Sequence, residues 1–324
     1  MFGRFRTGVI SGIHGSGGGV EMSFVTSPGH VSEQHFRLPL AQECVLSWNA
    51  REPISIQVRA HAADGRQSDW LPYVELEPWR SCSSRGAFVA IEVDVLRSAV
   101  PLVGLDVRSS DVARFFLASP PDRSLSISSA RPAPALPEAL TLSVPALSQY
   151  VGRERGWCAP ASLAMVMGYW ADILRQPRLH QTVATVAGAI ADPAYAGTGN
   201  WTFAAAYAAR YDLQAAVVYL STLDQALSFL HAGLPLILPI AWERGALPGA
   251  PLPESEGHLV VLRGTDSSAA VLVHDPALPD VQGRYDAQAF ESVWQAAGGV
   301  ALVLAPINEP AFMQLLLDDA GINV

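Results

Sequence analysis

The hydrophobic pattern of this chain changes period once, and this change limits the folds open to it more than any other feature. Up to about residue 120, apolar and polar residues alternate, as in EPISIQVRA, where Ile54, Ile56 and Val58 share a face. The later segments put Val89, Ile91, Val93 and Val95 opposite Glu92 and Asp94, and group Val103, Leu105 and Val107. A period of two, with turn signals such as ADGR between the runs, predicts antiparallel strands. We expect a β-sandwich accessory domain over residues 30–127.

The spacing becomes helical after a stretch rich in proline and alanine. SSARPAPALPEAL, residues 128–140, predicts a semi-rigid interdomain linker. Beyond it, apolar residues recur at helical spacing on one face: Leu163, Val166, Met167, Trp170 and Leu174. GNWTFAAAYAARY and TLDQALSFLHAG also predict helices, and the strands PLILPIAW, HLVVLRG, AAVLVHD and VALVLAP follow. This order predicts an α+β domain at 141–324.

Composition excludes several classes of protein. The 324 residues are enough for two domains, and the net charge of −9 comes without any lysine or basic run, which argues against a nucleic-acid partner. No apolar stretch reaches the ~18–20 residues of a membrane helix, so we expect no membrane span. The glycine-rich residues 1–29 read as a flexible arm without an export signal. A cytoplasmic location is therefore the default expectation, unless a signal peptide was removed.

Three cysteines, Cys44, Cys82 and Cys158, are too few and too scattered for a disulfide framework or a cysteine-rich zinc site. Cys44 and Cys82 lie in strand-like or loop-like sequence and are expected to be structural. No histidine pair or acidic cluster has the spacing of metal ligands, and we predict neither a metal nor another cofactor. A serine hydrolase is not indicated, because no Gly-x-Ser-x-Gly motif is present.

The segment RERGWCAPASLAMVMGYW places a thiol at the start of a predicted helix. Pro160 suits the first helical turn, where its missing N–H costs nothing, and this puts Cys158 at or just before the helix N-terminus. The helix dipole and the free N–H groups there stabilise a thiolate and lower the thiol pKa. A nucleophilic cysteine and a small buried residue near the helix start both remain open on this segment alone.

A nucleophilic cysteine needs a base, and the base needs a residue that orients it. His258 opens the apolar strand of EGHLVVLRG, and Asp275 ends the strand of AVLVHDPA. A hairpin through GTDSSAA would bring the two together, with His274 on the opposite face from Asp275. Taken singly, His258 could be a solvent-facing residue at a strand end and Asp275 a turn residue before proline.

Taken in order, these segments resemble the papain-like double-glycine-leader peptidases, the bacteriocin-processing cysteine peptidases, in their stand-alone form. The elements that carry the resemblance run through residues 141–306: LSVPALSQY, GWCAPASLAMVMGYW, GTGNWTFAAAYAARYDL, LHAGLPLILPI, GHLVVLRGTD, VLVHDPA and RYDAQAFESVWQAAGG. No single motif is specific, but the ordered set is. The resemblance implies a papain-like fold for residues 141–324 and a peptide or protein substrate.

The resemblance also implies a role for each of four residues. Cys158 would be the nucleophile, His258 the general base and Asp275 the residue that orients the histidine. Gln149 would donate its side-chain N–H to the oxyanion, together with the backbone N–H of Cys158. One departure is Ala159, because the family commonly has glycine after the cysteine. The family's leader peptidases are usually fused to a membrane transporter, which this sequence lacks, so a double-glycine leader is not the expected substrate.

The first half resembles, more loosely, the β domain found ahead of such stand-alone peptidases, through ECVLSWNAREPISIQVRAHAADGRQSDWLPYVELEPW. Trp48, Trp70 and Trp79 there could be core residues or a surface that binds a glycan or a protein. Two other functions remain open at this stage. One is a catalytically silent peptide- or glycan-binding module, and the other is an acyl transferase that uses the same triad.

The segment WERGALPGAPLPESEG, residues 242–257, is long for a loop inside a compact domain. Because it leads directly to His258, we predict either a substrate-facing flap or a solvated hairpin loop. Gly245, Gly249 and Gly257 are the candidate hinges, and Glu254 and Glu256 would make the rim acidic.

Overall fold

The computed structural model describes residues 20–24, 32–76, 79–120, 139–151, 156–268 and 270–319. Within these residues the chain is a mixed α/β protein with two antiparallel sheets and six α-helices. The first sheet precedes residue 121, and the second sheet and all six helices follow residue 138. The combination of a β-rich first half and a second half with helices and strands, predicted from the change of period, is therefore observed.

Nine strands form the first sheet: β1 (Val20–Phe24), β2 (Ser32–Asn49), β3 (Ile56–Ala62), β4 (Leu71–Leu76), β5 (Trp79–Ser81), β6 (Ser84–Arg85), β7 (Val89–Glu92), β8 (Val95–Ser109) and β9 (Arg114–Ala118). The order is β1-β9-β2-β8-β3-β4-β5, with β6 and β7 attached to the side of β8. The two longest strands, β2 and β8, pair along their length with two register shifts. Such irregularities bend a strand locally and increase its twist.

Alternation predicted part of this sheet and failed at a turn. Ile54, Ile56 and Val58 are buried on one face, as predicted. The prediction that residues 89–95 form one strand is wrong, because Val93 and Asp94 make the tight turn between β7 and β8. A two-residue turn preserves an alternating pattern, so the sequence shows no break there. Asp94, predicted on the polar face, is buried, and Val93 has a positive φ of 61°.

Val103 departs from its predicted face. Leu105 and Val107 are buried, whereas Val103 is exposed. The register of β8 shifts next to it against both β2 and β3, and a shift of one residue turns a side chain to the other face.

The second sheet contains seven strands: β10 (Leu140–Thr141), β11 (Leu213–Tyr219), β12 (Leu236–Trp242), β13 (Ser255–Thr265), β14 (Ala270–His274), β15 (Gln282–Asp286) and β16 (Val300–Pro306). Its order is β11-β16-β12-β13-β14-β15, with β10 beside β13. The helices are α1 (Cys158–Leu174), α2 (Val183–Ile190), α3 (Trp201–Ala209), α4 (Leu223–His231), α5 (Ala287–Ala296) and α6 (Pro310–Asp319). All the helices and strands predicted by the segments quoted above for the second half of the chain are present.

Helix α1 is buried more completely than its predicted apolar face required. Every residue from Ala159 to Ala171 is buried. The helix packs against β13 on one side and against α2 on another, and the Trp170 indole N–H donates to the Leu304 carbonyl of β16 at 2.9 Å. Because its sides are covered, the part of α1 that can contribute to a functional site is its first turn. It ends at Leu174, and the next residue, Arg175, has a left-handed φ of 54°.

The free edge of β11 is covered by the end of β2. The Asn49 side chain donates to the Ala215 carbonyl at 2.7 Å and accepts from the Ala215 N–H at 2.9 Å, and Ser47 Oγ accepts from Val217 N–H. Unpaired groups on an edge strand must be satisfied, and here the first sheet supplies the partners. One apolar core runs through both halves.

The three tryptophans singled out in the first half do not form a common surface. Trp48 is fully buried against Phe203 of α3, and Trp79 stacks on the same ring with centroids 4.2 Å apart. Trp70 lies instead beside the guanidinium groups of Arg59 and Arg108. Trp48 and Trp79 therefore pack in the interface between the first sheet and the helical half of the chain.

The predicted arm and linker lie mostly outside the described residues. Of the arm at 1–29, Val20–Phe24 forms β1 and pairs with β9, and of the linker at 128–140, residues 139–140 are described, with Leu140 in β10. None of the described helices is long and apolar enough to cross a membrane.

Candidate active site

Cys158 is the first residue of α1, as Pro160 predicted. The residue before it, Trp157, provides no side-chain cap, and Ala161 N–H donates to the Trp157 carbonyl. The N–H groups of the first helical turn have no partner within the helix, so they are available to a negative charge at Cys158. Ala159 is an ordinary helical residue without a positive φ, and alanine in place of glycine there introduces no backbone strain.

His258 reaches the thiol from the start of β13. It pairs with Ile240 of β12, and the register shifts just beyond, where Trp242 pairs with Ser255. This bulge at Glu256 and Gly257 sets the direction of the strand directly before the histidine. The His258 side chain is 5% exposed, lies edge-on to the Trp242 ring with the ring centroids 6.0 Å apart, and hydrogen bonds with the Cys158 thiol.

Asp275 holds the other side of the imidazole. The β13–β14 hairpin brings it to His258, and Asp275 Oδ1 lies 2.6 Å from His258 Nε2. Oδ1 also accepts from the Ala277 N–H at 3.0 Å, and Oδ2 accepts from the Tyr285 hydroxyl at 3.0 Å. The carboxylate is fully buried. Because Nε2 is bound to Asp275, Nδ1 is the ring nitrogen left for the thiol.

The electrostatics of Cys158 and His258 favour the charged pair. Burial alone raises the pKa of the Cys158 thiol, but the hydrogen bond and positive charge of His258, with the N–H groups of Leu259 and Ala159, bring it below its ordinary value. Burial alone lowers the pKa of His258, but hydrogen bonds to Asp275 and Cys158 raise it well above its ordinary value. A lowered thiol pKa beside a raised imidazole pKa favours a thiolate–imidazolium pair.

The chain segment that carries Gln149 is fixed from two sides. Pro145 packs on Gly168 of α1, and a Cβ added at Gly168 would lie 2.8 Å from the Cγ of Pro145. The Gln149 N–H donates to the carbonyl of Pro276, the residue after Asp275, at 3.0 Å. The Gln149 side chain is buried, and its Oε1 has no hydrogen-bond partner among the described residues. The structure thus brings Gln149 to the Asp275 turn.

A family profile decides the relationship of the second half. The profile of the Peptidase_C39 like family matches residues 141–302, which is half of the chain. This chain belongs to the Peptidase_C39 like family. The matched segment contains Gln149, Cys158, His258 and Asp275, and it excludes the whole first sheet.

A crystal structure of a candidate C39-like peptidase from Bacillus anthracis aligns with a TM-score of 0.39 and 17% identity, over 52% of this chain and 98% of that chain. No curated protein matches the sequence.

The histidine beside Asp275 and the two other cysteines of this Peptidase_C39 like chain make different contacts. His274 contacts Gln282 across the β14–β15 pair, at 3.2 Å. Cys44 and Cys82 are buried, and burial raises the pKa of the Cys44 thiol to about 12 and that of Cys82 to about 11. Both are therefore structural thiols by environment, as predicted.

The long loop of this Peptidase_C39 like chain runs between the ends of β12 and β13. Leu247 is buried, and the Trp242 indole N–H donates to the Leu252 carbonyl at 3.2 Å, so part of the loop packs on the domain. Gly245 and Gly249 have positive φ, whereas Gly257 lies within β13 and does not. The flap remains a prediction, with Gly245 and Gly249 as its candidate hinges.

Three residues that the sequence did not single out come together on the first sheet, outside the Peptidase_C39 like segment. His35, His61 and Asp106 have their potential ligand atoms within 4.8 Å of one another. They lie on three different strands, far apart along the chain, so no motif spacing reveals them. Only the register of β2, β8 and β3 brings them together.

Proposed function

We propose that this chain is a cysteine peptidase with Cys158 as nucleophile, His258 as general base and acid, and Asp275 as the residue that orients the histidine. One observation carries the proposal. A chain of hydrogen bonds runs from the buried Asp275 through the buried His258 to a partly exposed thiol at a helix N-terminus. Membership of the Peptidase_C39 like family supports the choice of a peptide bond as substrate.

The reaction proceeds through a thioester. The Cys158 thiolate attacks the carbonyl carbon of the peptide bond and forms a tetrahedral oxyanion. As the C–N bond breaks, the His258 imidazolium gives its proton to the departing amine. The neutral imidazole then takes a proton from water, the hydroxide attacks the thioester, and the C–S bond breaks to release the acid and restore the thiolate.

Gln149 is proposed to stabilise the oxyanion together with the Cys158 backbone N–H. Its side chain is buried beside the Asp275 turn, and its amide oxygen makes no hydrogen bond among the described residues. The donor to the oxyanion would be the side-chain N–H₂ group of the same amide, because an amide oxygen only accepts hydrogen bonds. Removal of one oxyanion donor costs about 10²–10³ in kcat.

The finer fold assignment is part of the same proposal. A papain-like domain at 141–324 is supported by α1, which packs its thiol end against an antiparallel sheet that carries the histidine and the aspartate. A β-sandwich at 30–127 is supported by the register shifts between β2 and β8, because such irregularities bend strands and a bent sheet can lay its two ends over one core. The residues at 128–140 would join the two domains.

A peptide-library digest tests the function directly. The full chain is incubated with a mixture of synthetic peptides, and the products are identified by mass spectrometry beside a Cys158→Ala control. We expect new termini from the wild-type protein alone. Cleavage that Cys158→Ala retains would contradict a Cys158 peptidase. So would the absence of any cleavage by a wild-type protein whose Cys158 still forms a covalent adduct with an electrophilic peptide.

A further inference from the structure

Three neighbouring strands place two imidazoles and a carboxylate together on one face of the first sheet. β8 lies between β2 and β3, and Asp106 is the direct partner of His35 on one side and of Arg59 on the other. His61 lies two residues beyond Arg59 and therefore on the same face. His35 Nδ1 is 2.7 Å from Asp106 Oδ1, and His61 Nε2 is 2.7 Å from Asp106 Oδ2.

A glycine makes room for this group of side chains. Gly104 is two residues from Asp106 on the same face of β8 and is paired with His61. A Cβ at position 104 would lie 2.7 Å from His35 Cε1 and 2.9 Å from the Phe36 carbonyl oxygen. Any side chain at 104 would push the His35 ring away, so the glycine is required for the imidazole to reach the carboxylate.

The hydrogen bonds of the cluster do not account for the position of His61 Nε2. Asp106 Oδ2 already accepts two N–H groups from Arg59, at 2.9 and 2.6 Å. His61 Nε2 lies close to the same oxygen, yet this buried atom makes no aligned hydrogen bond there. A ring nitrogen and a carboxylate oxygen this close need a proton or a cation between them. The cluster thus has one carboxylate for two imidazoles and a guanidinium.

We propose that His35 Nδ1, His61 Nε2 and Asp106 bind a zinc ion, with water as the fourth ligand. Two imidazoles with one carboxylate form a donor set that suits zinc, whereas Mg²⁺ and Ca²⁺ take oxygen ligands. Zinc bonds of 2.0–2.2 Å set tetrahedral ligand atoms about 3.3 Å apart. The two contacts of 2.7 Å would therefore widen to admit the ion, and ligand atoms that lie up to 4.8 Å apart would move closer together. The hydrogen bonds from Arg59 then hold the carboxylate in place, as partners of zinc ligands commonly do.

The charge around the cluster permits a cation. Glu33 binds both nearby guanidinium groups, at 3.0 Å from Arg59 and 2.9 Å from Arg108. With Asp106, this gives two carboxylates for two arginines, and the imidazoles are neutral when they bind a metal. The ion would connect β2, β8 and β3 at the end of β2 away from the junction with β11. The site does not depend on the peptidase proposal, because it lies outside residues 141–302.

Zinc titration of the full chain tests the site. Cys158→Ala is the starting protein, because the thiol and His258 could themselves bind zinc. We expect one equivalent of zinc by calorimetry, and affinity at least about 10-fold weaker in His35→Gln and in His61→Gln. His180→Gln is the matched control, because His180 forms an exposed pair with a single aspartate, Asp172, at 2.9 Å, and this variant should keep the full affinity.

The variants and a second metal separate binding from folding. The His35 side chain is half exposed, so His35→Gln should fold even if His61→Gln does not. Cobalt(II) in place of zinc should give the visible absorption of a four-coordinate ion, lost in His35→Gln. No saturable zinc binding, or equal zinc affinity in His35→Gln and His180→Gln, would overturn the proposal. The cluster would then be held by hydrogen bonds and ion pairs without a metal.

Discussion

His258 Nε2 and Asp275 Oδ1 are 2.6 Å apart in an environment that excludes solvent from both side chains. This short contact holds the imidazole by one nitrogen and directs the other towards Cys158. The carboxylate is itself held by the Ala277 N–H and the Tyr285 hydroxyl. Each side chain of the proposed triad is therefore fixed by a neighbour.

Asp275→Asn should lower kcat/KM by about 10²–10⁴, because the amide cannot stabilise the imidazolium that forms in the reaction. Tyr285→Phe removes one hydrogen bond from the same carboxylate and should cost only about 1 kcal/mol of stability. Peptide turnover and thermal unfolding are measured for both. Asp280→Asn, an exposed substitution in the same turn, is the control. An Asp275→Asn enzyme as active as this control would show that Asp275 does not orient His258.

The pH profile of kcat/KM should be a bell displaced by the two pKa shifts. The acid limb follows the Cys158 thiol, whose pKa lies below its ordinary value, so activity begins at lower pH than a free thiol would allow. The alkaline limb follows loss of the His258 proton, at a pKa raised to about 9. Above that pH the histidine cannot protonate the leaving amine. An alkaline limb near the ordinary pKa of histidine, about 6.5, would contradict the assignment.

Gln149→Ala should reduce kcat by about 10²–10³ with little change in the alkylation rate of Cys158. The donor acts on the oxyanion, which forms only during the reaction, and not on the resting thiolate. Gln288→Ala, on the exposed face of α5, serves as the control. If alkylation and turnover fell together in Gln149→Ala, the side chain would be a structural support of the thiol and not an oxyanion donor.

Asn49→Ala should destabilise the whole chain, because it leaves the N–H and carbonyl of Ala215 without their partners. An unpaired buried polar group costs about 1–3 kcal/mol. Since one core joins the halves, we expect a single thermal transition that moves down in Asn49→Ala and stays in place in the exposed control Asn308→Ala. Two separate transitions, with only one of them affected, would show that the halves fold independently.

Local chemistry in the sequence indicated where Cys158, His258 and Asp275 would lie, and the family resemblance supplied the roles proposed for them and for Gln149. Pro160 placed the helix start at Cys158, and the turn residues of GTDSSAA predicted the hairpin that brings Asp275 to His258. These signals act over a few residues, where backbone sterics decide the structure. The burial of α1 on nearly all sides was not predicted, because it depends on which elements cover it.

The first sheet was harder to predict, because its important contacts are long-range. The turn at Val93 and Asp94 left the alternation intact, and Trp48 and Trp79 pack on Phe203, which follows them by more than a hundred residues. The group of His35, His61 and Asp106 depends on the register of three strands. No pattern along the chain encodes that register.

The rate of iodoacetamide alkylation at each cysteine, followed by mass spectrometry from mildly acidic to neutral pH, tests the central claim most directly. Cys158 should react faster than Cys44 and Cys82, because its pKa is lowered and theirs are raised to about 12 and about 11. His258→Ala should slow Cys158 at mildly acidic pH and leave the other two unchanged. Equal rates at all three cysteines, or a Cys158 rate unaffected by His258→Ala, would contradict a histidine-activated nucleophile.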